Sequence, residues 1–325
     1  MKAVLQYRAS PGMRKQLATL APDWLEIVVV AESDRETFAA EMRDADVLLH
    51  VLEPVTAEVI AGAAKLQLIQ KIGVGVNTID LDAALAHGVA VSNMPGTNSQ
   101  AVAELTLALM LAVLRRLVSL DREARAGRGW SLPLDTFDHM GEIAGRVVGL
   151  VGYGQVARRL APVLTALGAD VLYTARRQIP DAAADWRPPD ALLAEVDILS
   201  LHVPLARETE KLLDREALWR MKHGSVLINT ARGGLVDEEA LVDALRSGQL
   251  AAAGLDVIAV EPAGAENALF ALDNVVVTPH VAWLTPETLD RSIGIALDNC
   301  TRIRTGRPLL HQVVPRVAPP TSREG

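Results

Sequence analysis

The 325-residue chain has one cysteine, Cys300, so no disulfide can close within it; its helical neighbourhood marks the thiol as a small buried hydrophobe. Aromatic residues are scarce at 3%. The core must therefore pack Ala, Leu and Val, and stacking platforms for nucleic acid are few. Positive charge is also in deficit. Lys plus Arg number 32 against 40 Asp plus Glu, a net charge of −8, which opposes a broad polyanion-binding surface but not one small basic pocket. No run approaches about 18 uncharged apolar residues; even Ala101 to Leu114 is interrupted by Glu104. The opening Met1 to Arg8 lacks the long apolar segment of a secretion signal. A soluble, cytoplasmic protein is expected, with neither nucleic acid nor membrane as partner. No H-E-x-x-H or close Cys/His/Asp cluster occurs, so no metal is expected, and no internal repeat suggests a solenoid.

What the chain does have is globular composition, 50% hydrophobic and 22% charged, at a length that favours two domains. Short Val/Ile/Leu runs at Ala3 to Gln6, Ile27 to Val30, Val47 to Val51, Leu66 to Ile69 and Ala90 to Ser92 alternate with helical stretches such as Arg35 to Arg43 and Thr56 to Ala63. This spacing predicts a first parallel α/β unit. After Pro95-Gly96, Ser99 to Arg125 reads as one long helix with an apolar stripe, suited to connect domains and meet a second subunit. Gly127 to Pro133 reads as a loop. A second βα succession runs through Arg146 to Val151, Val171 to Thr174, Ile198 to His202, Val226 to Asn229, Gly254 to Val257 and Val275 to Thr278. The helix Pro286 to Arg304 then returns to the first domain, and the polar, proline-containing tail is expected to be flexible. The boundaries that follow are 1–98 and 286–325 for a substrate domain, and 99–285 for a dinucleotide-binding domain.

The strand at Arg146 to Val151 leads into Gly152-Tyr153-Gly154-Gln155-Val156-Ala157, a G-x-G-x-x-A turn that opens a helix. In this pattern the first glycine permits the tight turn, the second clears the way for a pyrophosphate, and the small third residue lets helix and sheet approach. The helix start adds free N–H groups and a positive dipole end. The next strand ends at Ala175-Arg176-Arg177, about twenty residues after Gly154, where an acid usually holds the adenosine ribose. Guanidinium groups there suit a 2′-phosphate, so NADP(H) is favoured over NAD(H). The competing reading leaves both arginines in solvent and the ribose to Thr174 or backbone groups. His202, Pro204, Thr209, Thr230 and Ala231 complete the expected cofactor contacts; His202 is read as ordering its loop.

Three ionisable residues stand just beyond later apolar runs: Arg232, Glu261 and His280. In a parallel sheet such exits can converge on one crevice. Imidazole is suited to moving a proton near neutrality, and a carboxylate partner favours its protonated form. A fixed guanidinium can hold a carboxylate by two parallel hydrogen bonds, which points to an α-oxo acid. Val74-Gly75-Val76 offers backbone N–H groups for the same carboxylate, or else a structural turn. Lys71 adds charge there or faces solvent, and Trp283 lids the pocket or packs between domains.

Together, Ile72 to Asp80, Asn93 to Asn98 with Ala103 to Leu107, Val151 to Ala157, His202 to Leu205, Asn229 to Glu239, Gly254 to Val257, Glu261-Pro262 and Thr278 to His280 resemble the D-isomer-specific 2-hydroxyacid dehydrogenase family. The resemblance implies an α/β protein of two domains, a doubly wound parallel-sheet dinucleotide-binding domain and a flavodoxin-like substrate domain. It also implies an NAD(P)-dependent homodimeric oxidoreductase of small 2-oxo or 2-hydroxy acids. In it Arg232 binds substrate, His280 is the acid/base, Glu261 its partner, Val74 to Val76 meet the carboxylate and Asp256 lies near the nicotinamide. Asn77-Thr78 and Ala175-Arg176 depart from the common Asp-Asn and ribose-binding acid. Trp283 and the paired arginines look like glyoxylate/hydroxypyruvate reductases, with phosphoglycerate or D-lactate-type enzymes as alternatives. A corepressor-like nucleotide sensor would need no turnover, and a Rossmann methyltransferase would leave Arg232, Glu261 and His280 unexplained.

Overall fold

A computed structural model of the chain describes residues 1–316. Strand and helix alternate through β1 (Lys2–Gln6), α1 (Pro11–Leu20), β2 (Glu26–Val30), α2 (Arg35–Met42), β3 (Val47–His50), α3 (Ala57–Ala61), β4 (Leu68–Lys71), α4 (Leu81–Ala86) and β5 (Ala90–Ser92). The helices α5 (Ser99–Leu114) and α6 (Leu117–Arg125) follow. Next come β6 (Val147–Val151), α7 (Gln155–Ala166), β7 (Asp170–Thr174), β8 (Asp185–Trp186), α8 (Pro189–Glu195), β9 (Ile198–Leu201), α9 (Arg215–Arg220), β10 (Ser225–Asn229), α10 (Glu238–Ser247), β11 (Leu250–Leu255) and β12 (Val275–Val277). The last elements are α11 (Pro286–Thr305) and β13 (Gln312–Val314). The chain divides into two compact units, Met1–Asn98 with the segment from Thr285 on, and Ser99–Leu284. Among the described residues no helix is long and apolar enough to cross a membrane.

In the first unit the sheet order is β13-β5-β4-β3-β1-β2. Its five parallel strands follow the flavodoxin-like order. β3 and β4 are buried throughout, as strands covered on both faces must be. Ser10, Asp34 and Asp80 start α1, α2 and α4 by accepting the N–H groups of Met13, Thr37 and Ala83. α11 joins this unit through buried polar groups. The Asn299 amide donates to Gln70 Oε1 at 2.6 Å and its oxygen accepts the Leu310 N–H at 2.8 Å. β13 then pairs antiparallel with β5, a strand hidden in the tail that the sequence shows only as polar. The expected flexibility of the final residues concerns 317–325, outside the described residues.

The second unit carries a seven-stranded sheet in the order β12-β11-β10-β9-β6-β7-β8, with every pairing parallel. The order reverses direction between β6 and β9, the place where such sheets leave a ligand crevice at their carboxyl ends. Alternate residues face opposite layers. Leu199, Leu201, Leu227 and Leu255 pack with Leu192, Leu218 and Leu241, while Val148, Leu150, Val226 and Ile228 pack with Met110, Leu160 and Leu164. Backbone pairing aligns Thr174, Val151, Leu201, Asn229, Leu255 and Val277 in one row across the sheet. Gly152, His202, Thr230, Asp256 and Thr278 are the next residues along their strands, so register alone gathers them on one edge.

The expected single helix from Ser99 to Arg125 is broken. Arg116 takes a left-handed conformation with φ +49°, and its carbonyl starts α6 by accepting from Leu120 N–H and Ser119 Oγ. No glycine or proline marks this break. Nine of the sixteen residues of α5 are buried, and Leu109, Met110, Val113 and Leu114 belong to its own unit's core, so its apolar stripe needs no second subunit. Within the expected loop, Gly129–Ser131 forms a 3₁₀ turn. β11 spans Leu250–Leu255 rather than Gly254 to Val257. Its alanine-rich start carries little strand signal, and small residues there accommodate α5, since a Cβ on Gly254 would lie 3.0 Å from that of Leu109.

Candidate active site

The turn after β6 is tight at its first glycine and unobstructed at its second. Gly152 has φ +93°, and a Cβ there would lie 2.7 Å from the His202 carbonyl oxygen, so only glycine fits. At Gly154 a Cβ would meet nothing within 4 Å. Gly154 also caps α7 without any side-chain acceptor, leaving the helix start at Gln155 and Val156 open to an anion. Ala157 is fully buried where α7 meets the sheet. These features fit a dinucleotide pyrophosphate.

Other expected cofactor contacts are more restricted. Tyr153 is 4% exposed and its Oη accepts from the Ala183 N–H at 2.9 Å, so it can meet a ligand at the turn through backbone alone. Thr230 is buried, and because Thr106 Oγ1 donates to the Val102 carbonyl, the Thr230 hydroxyl donates to Thr106 at 2.8 Å. The Thr209 hydroxyl closes its own loop, donating to Pro204 O at 2.7 Å and accepting the Ala206 N–H. Burial pushes the His202 imidazole pKa down to about 4, leaving a neutral ring against Ser200 Oγ. Ala175 is half-buried, whereas Arg176 and Arg177 are exposed beyond β7.

Arg232, Glu261 and His280 meet through the loops after β10, β11 and β12. Asn229 shapes the first of these by donating to Arg232 O and accepting the Ala231 N–H. A Cβ on the following Gly233 would run into the Ile258 carbonyl, so the glycine lets the Arg232 loop lie against the loop that carries Glu261. The Arg232 guanidinium donates to Ala231 O at 2.6 Å. Burial draws its pKa down, opposed by the charge of Glu261, but a guanidinium remains cationic in proteins. Glu261 accepts the Ile258 N–H through Oε1 at 3.0 Å, and its Oε2 lies 2.6 Å from His280 Nδ1. Burial works to raise the Glu261 pKa. The hydrogen bond and charge of His280, the Ile258 amide and Arg232 outweigh it, and the net shift is downward.

His280 itself is held in an uncommon backbone state with φ +55°. Its N–H donates to Asp256 O at 2.8 Å. The buried Asp256 carboxylate then accepts Thr278 Oγ1 at 2.6 Å and the N–H groups of Val281 and Ala282 at 2.9 Å. Burial raises the Asp256 pKa against these bonds. With Nδ1 facing Glu261, Nε2 is the ring atom left for chemistry.

Sequence reasoning passes over Thr278 as a site residue, although it lies inside the quoted Thr-Pro-His stretch. It also misses Glu238, which accepts from Ala259 N–H at 2.7 Å and Asn267 Nδ2 at 2.8 Å, pinning the loop that carries Glu261. Only its place in an acidic helix start hints at this.

Trp283 is half-buried just after His280. Val74, Gly75 and Val76 belong to the other unit, on the loop after β4, where Asn93 Nδ2 donates to Val74 O at 2.9 Å. Lys71 does not face solvent; it is 5% exposed and its ammonium donates to the Val51 carbonyl.

A doubly wound parallel sheet with a G-x-G-x-x-A turn at its carboxyl edge defines the dinucleotide-binding class of fold. Residues 107–282 match the D-isomer specific 2-hydroxyacid dehydrogenase, NAD binding domain. The chain belongs to this family. It is 42% identical over 275 residues to a D-3-phosphoglycerate dehydrogenase of Mycobacterium leprae, covering 83% of this chain and 51% of that protein. The chain thus spans about half the length of that relative. It is 35% identical over 299 residues to a glyoxylate reductase of Korarchaeum cryptofilum, covering 89% and 90% of the two chains. The TT0316 protein of Thermus thermophilus superposes with a TM-score of 0.88 at 36% identity, over 97% of this chain and 100% of that one.

Proposed function

We propose that this chain is an NAD(P)-dependent oxidoreductase that interconverts small 2-oxo and 2-hydroxy acids, with glyoxylate or hydroxypyruvate reduction foremost and NADP(H) preferred over NAD(H). The observation that carries the reading is the His280–Glu261 contact of 2.6 Å, set beside Arg232 on the edge that also holds the open glycine turn. A nicotinamide bound there supplies the hydride for C2 of the substrate. Arg232 binds the substrate carboxylate and polarises the adjacent carbonyl. His280 Nε2 gives its proton to the oxygen at C2, while ionised Glu261 holds Nδ1–H and stabilises the imidazolium. Asp256 keeps the His280 turn in place. Exposed Arg176 and Arg177 favour a 2′-phosphate on the adenosine ribose.

The mycobacterial similarity favours a second reading, in which the substrate is phosphorylated. One assay separates the readings: glyoxylate, hydroxypyruvate, pyruvate and 3-phosphohydroxypyruvate, each with NADPH and NADH. Turnover of the first two, lost by at least about a thousandfold in His280→Ala, is expected for an essential proton donor. Turnover confined to the phosphorylated acid would replace the substrate assignment. No turnover with any acid would favour a nucleotide sensor, and equal kcat/KM with the two cofactors would remove the NADP(H) preference. The proposed partner is a second copy of the chain.

A further inference from the structure

We propose that Tyr153 and Tyr173 form a two-point staple that fixes the segment between β7 and β8, and are thereby positioning residues for the adenosine end of the dinucleotide. This role rests on the reading that Arg176 and Arg177 meet the ribose. β8 pairs parallel with β7, Leu172 opposite Asp185 and Tyr173 opposite Trp186, so the connecting segment leaves the sheet and re-enters on the same edge. Side chains take up several of its backbone polar groups. Tyr173 Oη accepts the Ile179 N–H at 2.8 Å and donates to Ile179 O at 3.4 Å. Tyr153 Oη accepts the Ala183 N–H at 2.9 Å, and the Trp186 indole donates to Ala175 O at 3.4 Å.

Both tyrosines are nearly fully buried, with ring centroids 4.4 Å apart, and the Arg158 guanidinium of α7 lies 5.4 Å from the Tyr153 ring centre. Their hydroxyls are therefore fixed anchors rather than mobile donors. Between them Asp181 turns the chain at φ +57°, in the left-handed region that Asp adopts more readily than most residues. Arg176 and Arg177 make no side-chain hydrogen bond or ion pair among the described residues, so the backbone path alone sets where their side chains begin. Tyr153 stands between Gly152 and Gly154. One residue thus belongs to the phosphate turn by its backbone and to the ribose-reading segment by its side chain, which ties the two contacts of the dinucleotide together.

Tyr153→Phe and Tyr173→Phe keep the rings and remove only the hydroxyls, so the core is retained. Hydrogen exchange over residues 176–185 should quicken at Ala183 in the first variant and at Ile179 in the second. In the double variant calorimetric Kd for NADPH should rise about tenfold, the value for two modest hydrogen bonds. NADH should be affected less, and the loss should appear in cofactor KM rather than in kcat. Unchanged exchange, or faster exchange with unchanged Kd, overturns the staple. So does a uniform loss of kcat, both affinities and thermal midpoint, which marks a purely structural role. If the parent binds both cofactors and Arg176→Ala/Arg177→Ala alters the preference while the tyrosine variants do not, only the staple fails. If the parent binds neither cofactor, the reading of the site fails with it.

Discussion

Arg232 combines burial, a fixed loop and a permanent charge, and its usefulness lies in fork geometry rather than charge alone. An ammonium in its place reaches one carboxylate oxygen at a time. Arg232→Lys should therefore lose about a hundredfold in kcat/KM for the 2-oxo acid, the cost of a charge-assisted bidentate pair. Steady-state kinetics near the parent's would reduce the guanidinium to a structural part. His202 makes a different prediction. Its pKa is depressed from 6.5 to about 4, so folding favours the neutral ring. The stability this contributes is complete above pH 6.5 and is lost as pH falls toward 4, a span worth on the order of 3 kcal/mol. Urea midpoints between pH 7.5 and 4.5 should fall less steeply in His202→Asn; parallel curves would exclude a neutral His202. Arg232, Glu261 and His280 can be picked out from sequence because each follows an apolar run that reads as a strand. The inward turn of the Thr230 hydroxyl cannot, since it depends on Thr106 in a helix far away in sequence.

Among the elements, the loops after β10 and β11 touch at Gly233. A methyl group there would collide with the Ile258 carbonyl, three residues before Glu261. Gly233→Ala should cost about 2 kcal/mol or more in stability and also lower kcat, because the displaced loop carries the partner of His280. Calorimetry and kinetics measured together test this; a parent-like thermal midpoint would show that the loops part freely. Most strands are legible because their Val/Ile/Leu runs lie in sheets covered on both faces. Besides β8 and β13, two further features are obscured. β11 runs through three alanines and Gly254, and the small residues that admit α5 at Ala252 and Gly254 conceal the strand. The break between α5 and α6 falls at Arg115-Arg116, ordinary helix formers, and only the left-handed Arg116 records it.

For the molecule as a whole, the proposed pairing of two copies is argued from exposed apolar residues on and just beyond α6. Leu117 and Val118 on α6 are 60% and 57% exposed, and Trp130 and Leu134 just beyond are 90% and 83% exposed. On the same unit an open cleft of about 690 Å³ is lined by Val118, Met140 and Phe270 together with Arg122, His139 and Asp273. Exposed apolar surface of this kind favours a self-complementary two-fold contact. Light scattering at micromolar protein should give twice the 34.8 kDa chain mass, and Trp130→Asp/Leu134→Asp should bring it down to one chain. A monomeric parent would defeat the proposal. The return of α11 and β13 to the first unit has a further consequence, for the order of assembly during synthesis. The unit from Ser99 to Leu284 has all its strands once Leu284 has been made. The unit that begins the chain still lacks the Asn299 amide that meets Gln70 and the strand that covers β5. On a ribosome, where domains fold as their residues emerge, the first unit to start is the last to be completed.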